Sequence, residues 1–215
     1  MTTIITMPDI GIRSVEFDPV QTRFVDRMDG RRSEELVLPT TWWQARYQVD
    51  WADRRDFGRL DAFMMLAAGG AVFRAWDPER PRPMAHDNGK PLTGTRAGGG
   101  AFTGTATLAA ITSPIAVTVS GLPAGFQLRQ GDYVEFRMSA TIVSLHRIVA
   151  DATANGSGIV ALAIRFPLDT QTFTTAATVN FEKPSCLMKL DQASWRGVKS
   201  MRDRRPSFAA AEYFP

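Results

Sequence analysis

A nucleophilic enzyme needs a Ser or Cys within reach of a base, and the base needs an orienting acid. This chain offers two histidines, His86 and His146, and a single cysteine, Cys186. No Gly-x-Ser-x-Gly turn supplies either histidine with a nucleophile. Cys186, flanked by Ser185 and Leu187 in an apolar run, reads as a small buried hydrophobe. Asp132 and Glu135 stand three apart in a segment that alternates like a strand, so their carboxylates point to opposite faces and cannot act as a close pair. "DATANGSG", Asp151 to Gly158, gathers oxygen ligands in a turn. It lacks the alternating acidic positions and the distal Glu of a calcium loop, and reads as a hairpin connection. Two histidines and one cysteine give no zinc spacing. "RAGGGAFTG", Arg96 to Gly104, has neither the Lys of a phosphate loop nor a helix pattern after it, and reads as a flexible linker. The expectation is a non-enzymatic protein with no catalytic, cofactor-binding or metal residues.

Composition fits that expectation. The 215 residues are 44% hydrophobic and 22% charged, ordinary for a globular chain large enough for one big or two small cores. No run of about 18 apolar residues predicts a membrane span. The start "MTTIITMPDIG" lacks the basic and apolar stretches of a signal peptide, so synthesis in the cytoplasm is expected. Net charge is only +3, and just four of the 25 Lys+Arg residues are Lys. Arg is enriched in protein interfaces and Lys depleted, which favours protein contacts over a nucleic-acid groove. The basic cluster "RGVKSMRDRRP", Arg196 to Pro206, lacks interleaved aromatics and reads as a solvated or subunit-facing surface.

The elements that must position any site are mostly strands. "TWWQARYQVDW", Thr41 to Trp51, puts Trp43, Ala45, Tyr47, Val49 and Trp51 on one face, with Trp42 among the residues on the other. One of the two adjacent tryptophans must therefore face away from the core, and Trp42 becomes a candidate contact residue. Shorter alternations at residues 13–17, 20–28 and 33–38 read as sheet partners, with "DGRR", Asp29 to Arg32, as a hairpin turn. A helix is predicted over residues 54–68, capped by Asp53 and ended by Gly69 and Gly70. Its apolar stripe, Phe57, Leu60, Phe63, Met64 and Ala67, should lie on the sheet.

Residues 77–104, dense in Pro and Gly, read as an extended loop between modules. From about 102 to 181 the pattern is five short strands without a helix, a small barrel or sandwich. "LRQGDYVEFRM", Leu128 to Met138, contributes one of them, expected to be half-buried with Val134, Phe136 and Met138 inward and Tyr133, Glu135 and Arg137 outward. "SCLMKL" and "SFAAAEYF" are expected to complete the first sheet. The predicted fold is mainly β (α+β): a β-sandwich or sheet with one packed helix, plus an inserted small β-barrel or sandwich module. Residues 1–92, completed by 183–215, form the first domain, and 93–182 the inserted all-β module, OB-like or sandwich.

Two stretches carry a family resemblance. "LRQGDYVEFRMSATIVSLHRIVADATANGSGIVALAIRFPL", Leu128 to Leu168, is similar to a module of tail proteins from long, non-contractile-tailed bacteriophages: a Leu-x-x-Gly-Asp strand, a hairpin, an Asp-Ala-x-Ala-Asn-Gly-x-Gly turn and a strand ending in Pro-Leu. "WWQARYQVDWADRRDFGRLDAFMMLAAGGAVFRAWDP", Trp42 to Pro78, resembles the strand, helix, strand core of the same proteins. The chain departs at "FPLDT", where family members usually carry Pro-Pro-Leu-Arg. The resemblance implies a distal tail protein, a ring subunit at the virion tail tip. Its first domain would close a homo-hexameric ring around the tail channel. Its partners would be further copies of itself, the tail tube protein, and hub, baseplate or tail-fibre proteins; nucleic acid would only pass through the channel, with no membrane insertion. Contacts are expected at Trp42, in residues 80–91 through Arg80, Arg82 and His86, and in the basic C-terminal segment through Arg196, Lys199, Arg202, Arg204 and Arg205. An alternative gives residues 102–182 a host-surface glycan to bind, but that segment has no Trp to stack on a sugar.

Overall fold

In a computed structural model, residues 3–198 and 204–215 are described. They are mostly strand, with one helix among them. In chain order the first elements are β1 (Ile4–Ile5), β2 (Ile12–Arg27), β3 (Ser33–Val49), α1 (Arg54–Ala68) and β4 (Val72–Ala75). Then come β5 (Gly94–Thr95), β6 (Ala101–Phe102), β7 (Thr105–Ser113), β8 (Ala116–Ser120), β9 (Gln127–Leu128) and β10 (Tyr133–Arg137). The last are β11 (Val143–Ile148), β12 (Ala152–Thr153), β13 (Val160–Arg165), β14 (Thr178–Asn180), β15 (Cys186–Arg196) and β16 (Ser207–Glu212). They form two compact units, Thr3–Phe73 with Met188–Tyr213, and Arg74–Leu187.

The first unit is built on a six-stranded sheet of order β1-β4-β15-β16-β3-β2. The C-terminal strand β16 is its centre, pairing β3 from Ser207↔Gln48 to Ala211↔Gln44. Phe208 and Ala210 therefore share a face with Tyr47 and Ala45, and that face is buried. Helix α1 covers it with Phe57, Leu60, Phe63, Met64 and Ala67, and Phe63 meets the Phe73 ring at 5.1 Å. Local chemistry sets the helix ends. Asp53 accepts a hydrogen bond from Asp56 N at 2.7 Å, satisfying a donor the first turn leaves open. At the other end Gly70 takes φ 95°, a left-handed value few side chains tolerate. The alternation 43–49 faces inward as predicted, but Trp51 is 58% exposed. The strand stops at Val49, and Ala52 N bonds Arg204 O instead, so the period-two rule no longer holds there.

The second unit is a closed antiparallel barrel, β10-β11-β13-β8-β7-β14. It has six strands where the sequence suggested five. The compact units divide at 73/74 and 187/188. The Pro-rich loop is irregular, as expected, but it is packed rather than spanning. Met84 N donates to Asp132 at 2.9 Å, Leu92 N to Glu182 at 2.8 Å, and Arg82 pairs with Glu182 at 2.8 Å.

That packing changes β10. Tyr133 and Glu135, expected to face solvent, are buried, so the strand is covered on both sides. Tyr133 donates to Asp77 at 3.1 Å and accepts from Arg147 at 2.7 Å; its burial pushes the phenol up to about 12. Glu135 accepts from Ser185 N and Oγ at 2.9 and 3.0 Å and lies 3.8 Å from the Arg74 guanidinium. The flanking turns are equally determined. Asp132 accepts from Arg129 N at 2.7 Å, closing the Leu-x-x-Gly-Asp turn, while Gly131 supplies φ 97°. Asp151 accepts from Gln130 N at 2.8 Å, and Asn155 closes the next turn by accepting from Ser157 N and Ile159 N.

Two outcomes are expected. A Cβ on Gly158 would sit 2.1 Å from Leu122 O at φ 70°, whereas one on Gly156 would meet nothing within 4 Å. Gly158→Ala should therefore lower the barrel's unfolding free energy by roughly 2 kcal/mol or more, and Gly156→Ala by at most about 0.5 kcal/mol, read from the midpoint shift of denaturant curves of unchanged slope. In the first unit, Glu212 accepts from Trp43 N at 2.9 Å just past the last β16–β3 pair. Burial raises its carboxyl to about 8. A folded-state value above the unfolded one means that Glu212 contributes fully below about 4.5 and loses that contribution as pH rises through about 8. Glu212→Gln should flatten this fall in thermal stability; an unchanged slope would show that Glu212 does not titrate in that window.

Candidate interaction surface

Strands β2 and β3 are longer than the sheet that holds them. They pair with each other from Ile12↔Val49 to Arg27↔Ser33, with a register shift between Gln21 and Arg23. β16 supports β3 only over Gln44–Gln48. Beyond Trp43, the segments 21–27 and 33–41 pair only with one another, a two-stranded ribbon closed by the predicted Asp29–Arg32 turn, where Gly30 and Arg31 both take positive φ.

The ribbon carries large apolar side chains that touch little. Phe24 is 58% exposed and Leu36 62%, and Val25, Met28, Val37 and Leu38 are also exposed. Register sorts the two faces. Phe24 lies opposite Leu36, and on the same face Asp26 lies opposite Glu34. The other face carries Val25, Val37 and an Arg23–Glu35 ion pair of 3.2 Å. An isolated two-stranded hairpin is marginally stable in water, and a strand ribbon with apolar residues on both faces is suited to being covered. The signal in the sequence is the run of adjacent apolar residues, Phe24-Val25 and Leu36-Val37-Leu38. In a strand, neighbours point to opposite faces, so such runs put apolar groups on both.

The predicted contact residues are divided between the two units. Trp42 is half-buried, opposite Val20 near the base of the ribbon. Arg196 and Arg205 are exposed and Arg204 is partly so, all in the first unit. Lys199 and Arg202 lie outside the described residues. Arg80 is exposed and donates to Gly131 O at 3.3 Å in the second unit. Two of them are engaged within the second unit. Arg82 is buried and held by Glu182 and Asp87, so its guanidinium is spent inside the unit. His86 stacks on Phe126 at 4.1 Å and accepts from Gln127 N, so it closes a loop. Both were read from a loop assumed to be free, and its packing removes that premise.

The groups with chemical potential are likewise committed. Ser144 Oγ lies 2.9 Å from His146 Nε2, and His146 Nδ1 lies 2.9 Å from Phe166 O. The pair resembles a nucleophile and base, but burial lowers the imidazole to about 4, too weak a base to hold a proton at neutral pH. Asp132, raised by burial, is spent on backbone donors. Cys186 is buried, as predicted. Among the described residues no group of three His, Cys, Asp or Glu side chains could hold a metal, and no helix is long and apolar enough to cross a membrane.

The chain matches no protein-family model and no curated protein sequence.

Because Phe24 and Leu36 are 58% and 62% exposed, replacing both with Ser should change the unfolding free energy by no more than about 0.5 kcal/mol and reduce binding of a hydrophobic dye. A loss on the scale of a core truncation, about 3 kcal/mol, would show that the ribbon is packed in solution.

Proposed function

We propose that the protein is a structural component of a bacteriophage tail tip, a homo-oligomeric distal tail ring that joins the tail tube to the hub or baseplate. The observation that supports it most is the apolar ribbon of β2 and β3, a surface suited to a protein partner. The sequence resemblance adds the setting: six copies around the tail channel, with tail tube, hub and tail-fibre proteins as neighbours. A ring needs two different complementary faces per subunit, and a projecting ribbon is one such face. In this reading the barrel unit is an insertion that leaves the ring-forming sheet intact, since β4 and β15, which flank it in sequence, are sheet neighbours. The virion tail tip is the site of action and no chemistry is performed.

The test is native mass across a concentration series with negative-stain imaging. Rings of six copies with a central opening as wide as a tail tube are expected. A protein that stays monomeric at its highest soluble concentration would overturn self-assembly as its function.

A further inference from the structure

The ribbon face with Phe24 and Leu36 combines apolar groups with an electrostatic problem. Asp26 and Glu34 are directly opposite, like charges that repel, and neither has an ion-pair partner among the described residues. The surface that covers this face should offer apolar contact and, about 7 Å further along at two residues of strand rise, positive charge.

One surface of the first unit has that order. The outer side of α1 aligns Arg55, Arg59, Ala62 and Leu66 at helical spacing, with Gly58 and Met65 beside them. Met65 is 74% exposed and Leu66 59%. Arg59 stands about 4.5 Å from Ala62 and about 10 Å from Leu66 along the axis; it pairs with Asp56 at 3.3 Å, an exposed pair for which the ribbon's two carboxylates would compete. Gly58 adds an independent sign. A glycine inside a helix costs about 1 kcal/mol relative to Ala, and nothing in this chain lies within 4 Å of where its Cβ would be. Its missing side chain leaves room for another backbone to approach. The outer face of the sheet is a poorer match, because it sets one Arg, Arg46, beside two carboxylates, Glu16 and Asp18, whereas the helix sets Arg55 and Arg59 beside one, Asp56.

We propose that the Phe24/Leu36 face of the β2–β3 ribbon docks on the outer face of helix α1 in a second copy of this chain. Asp26 and Glu34 meet Arg55 and Arg59, while Phe24 and Leu36 cover Ala62, Met65 and Leu66. Within one chain both surfaces remain exposed, so the contact is intermolecular. Ribbon and helix are different patches, so the contact is head-to-tail and repeats around a ring or along a filament. It specifies the junction of the ring proposed above.

Charge exchange tests it. Asp26→Arg with Glu34→Arg, and separately Arg55→Glu with Arg59→Glu, should each weaken self-association by about tenfold or more in sedimentation velocity at low salt. An equimolar mixture of the two variants should associate again, since each reversed ribbon then finds a reversed helix and each native ribbon a native helix. Gly58→Leu should leave the unfolding midpoint near that of the wild type yet abolish association. Wild-type association that neither reversal changes, or a mixture that stays dissociated, overturns this pairing and leaves the ring standing. A wild-type protein that is monomeric throughout overturns both.

Discussion

A fully buried carboxylate, Glu135, is the constraint around which the second unit is arranged. Burying a charge in an apolar setting is expensive unless it is paired and hydrogen-bonded. Glu135 gets both, from Arg74 and Arg137 as cations and from Ser185 and Asn180 as donors. Two of these partners come from the two ends of the unit: Arg74 is its first residue, and Ser185 is near its last. One side chain therefore fastens the entering and leaving chain to the same barrel strand. Tyr133, two residues earlier, repeats the arrangement with Asp77 and Arg147. Loss of either network would leave buried polar groups without partners, which is worse than never having buried them.

What could be read from sequence follows from how local each signal is. Helix α1 was legible to the residue, because a capping Asp53, an apolar stripe and a Gly-Gly stop all act within a few positions. The inward face of β3 was legible for the same reason. The burial of Tyr133 and Glu135 was not, since alternation only says that two faces differ. The loop that covers the second face comes from some fifty residues away in sequence, through contacts such as Asp77 to Tyr133. The internal bonds of Arg82 and His86 were hidden for the same reason. The hairpin of the ribbon was legible from its Asp29–Arg32 turn; its exposed apolar faces were not, because alternation within each short strand does not show that adjacent apolar residues stay uncovered.

The motifs that carry the family resemblance have physical explanations in this fold. Leu128 fills the core, Gly131 supplies the positive φ, and Asp132 ties its own turn to the Pro-rich loop. In the later turn Asp151, Asn155 and Gly158 do equivalent work on backbone donors and close contacts. Such residues report how a barrel turns its corners. A motif of this kind is evidence about architecture first, and about function only through the surfaces that architecture presents.

The strands that flank the barrel in sequence, β4 and β15, lie side by side in the host sheet. Chain that leaves one strand and returns on its neighbour places little topological demand on whatever is built between. Evolution can then enlarge, exchange or delete the intervening segment while the order of strands in the sheet is preserved. The barrel is in this sense cargo on a fixed chassis, open to change without rearranging the sheet that carries it.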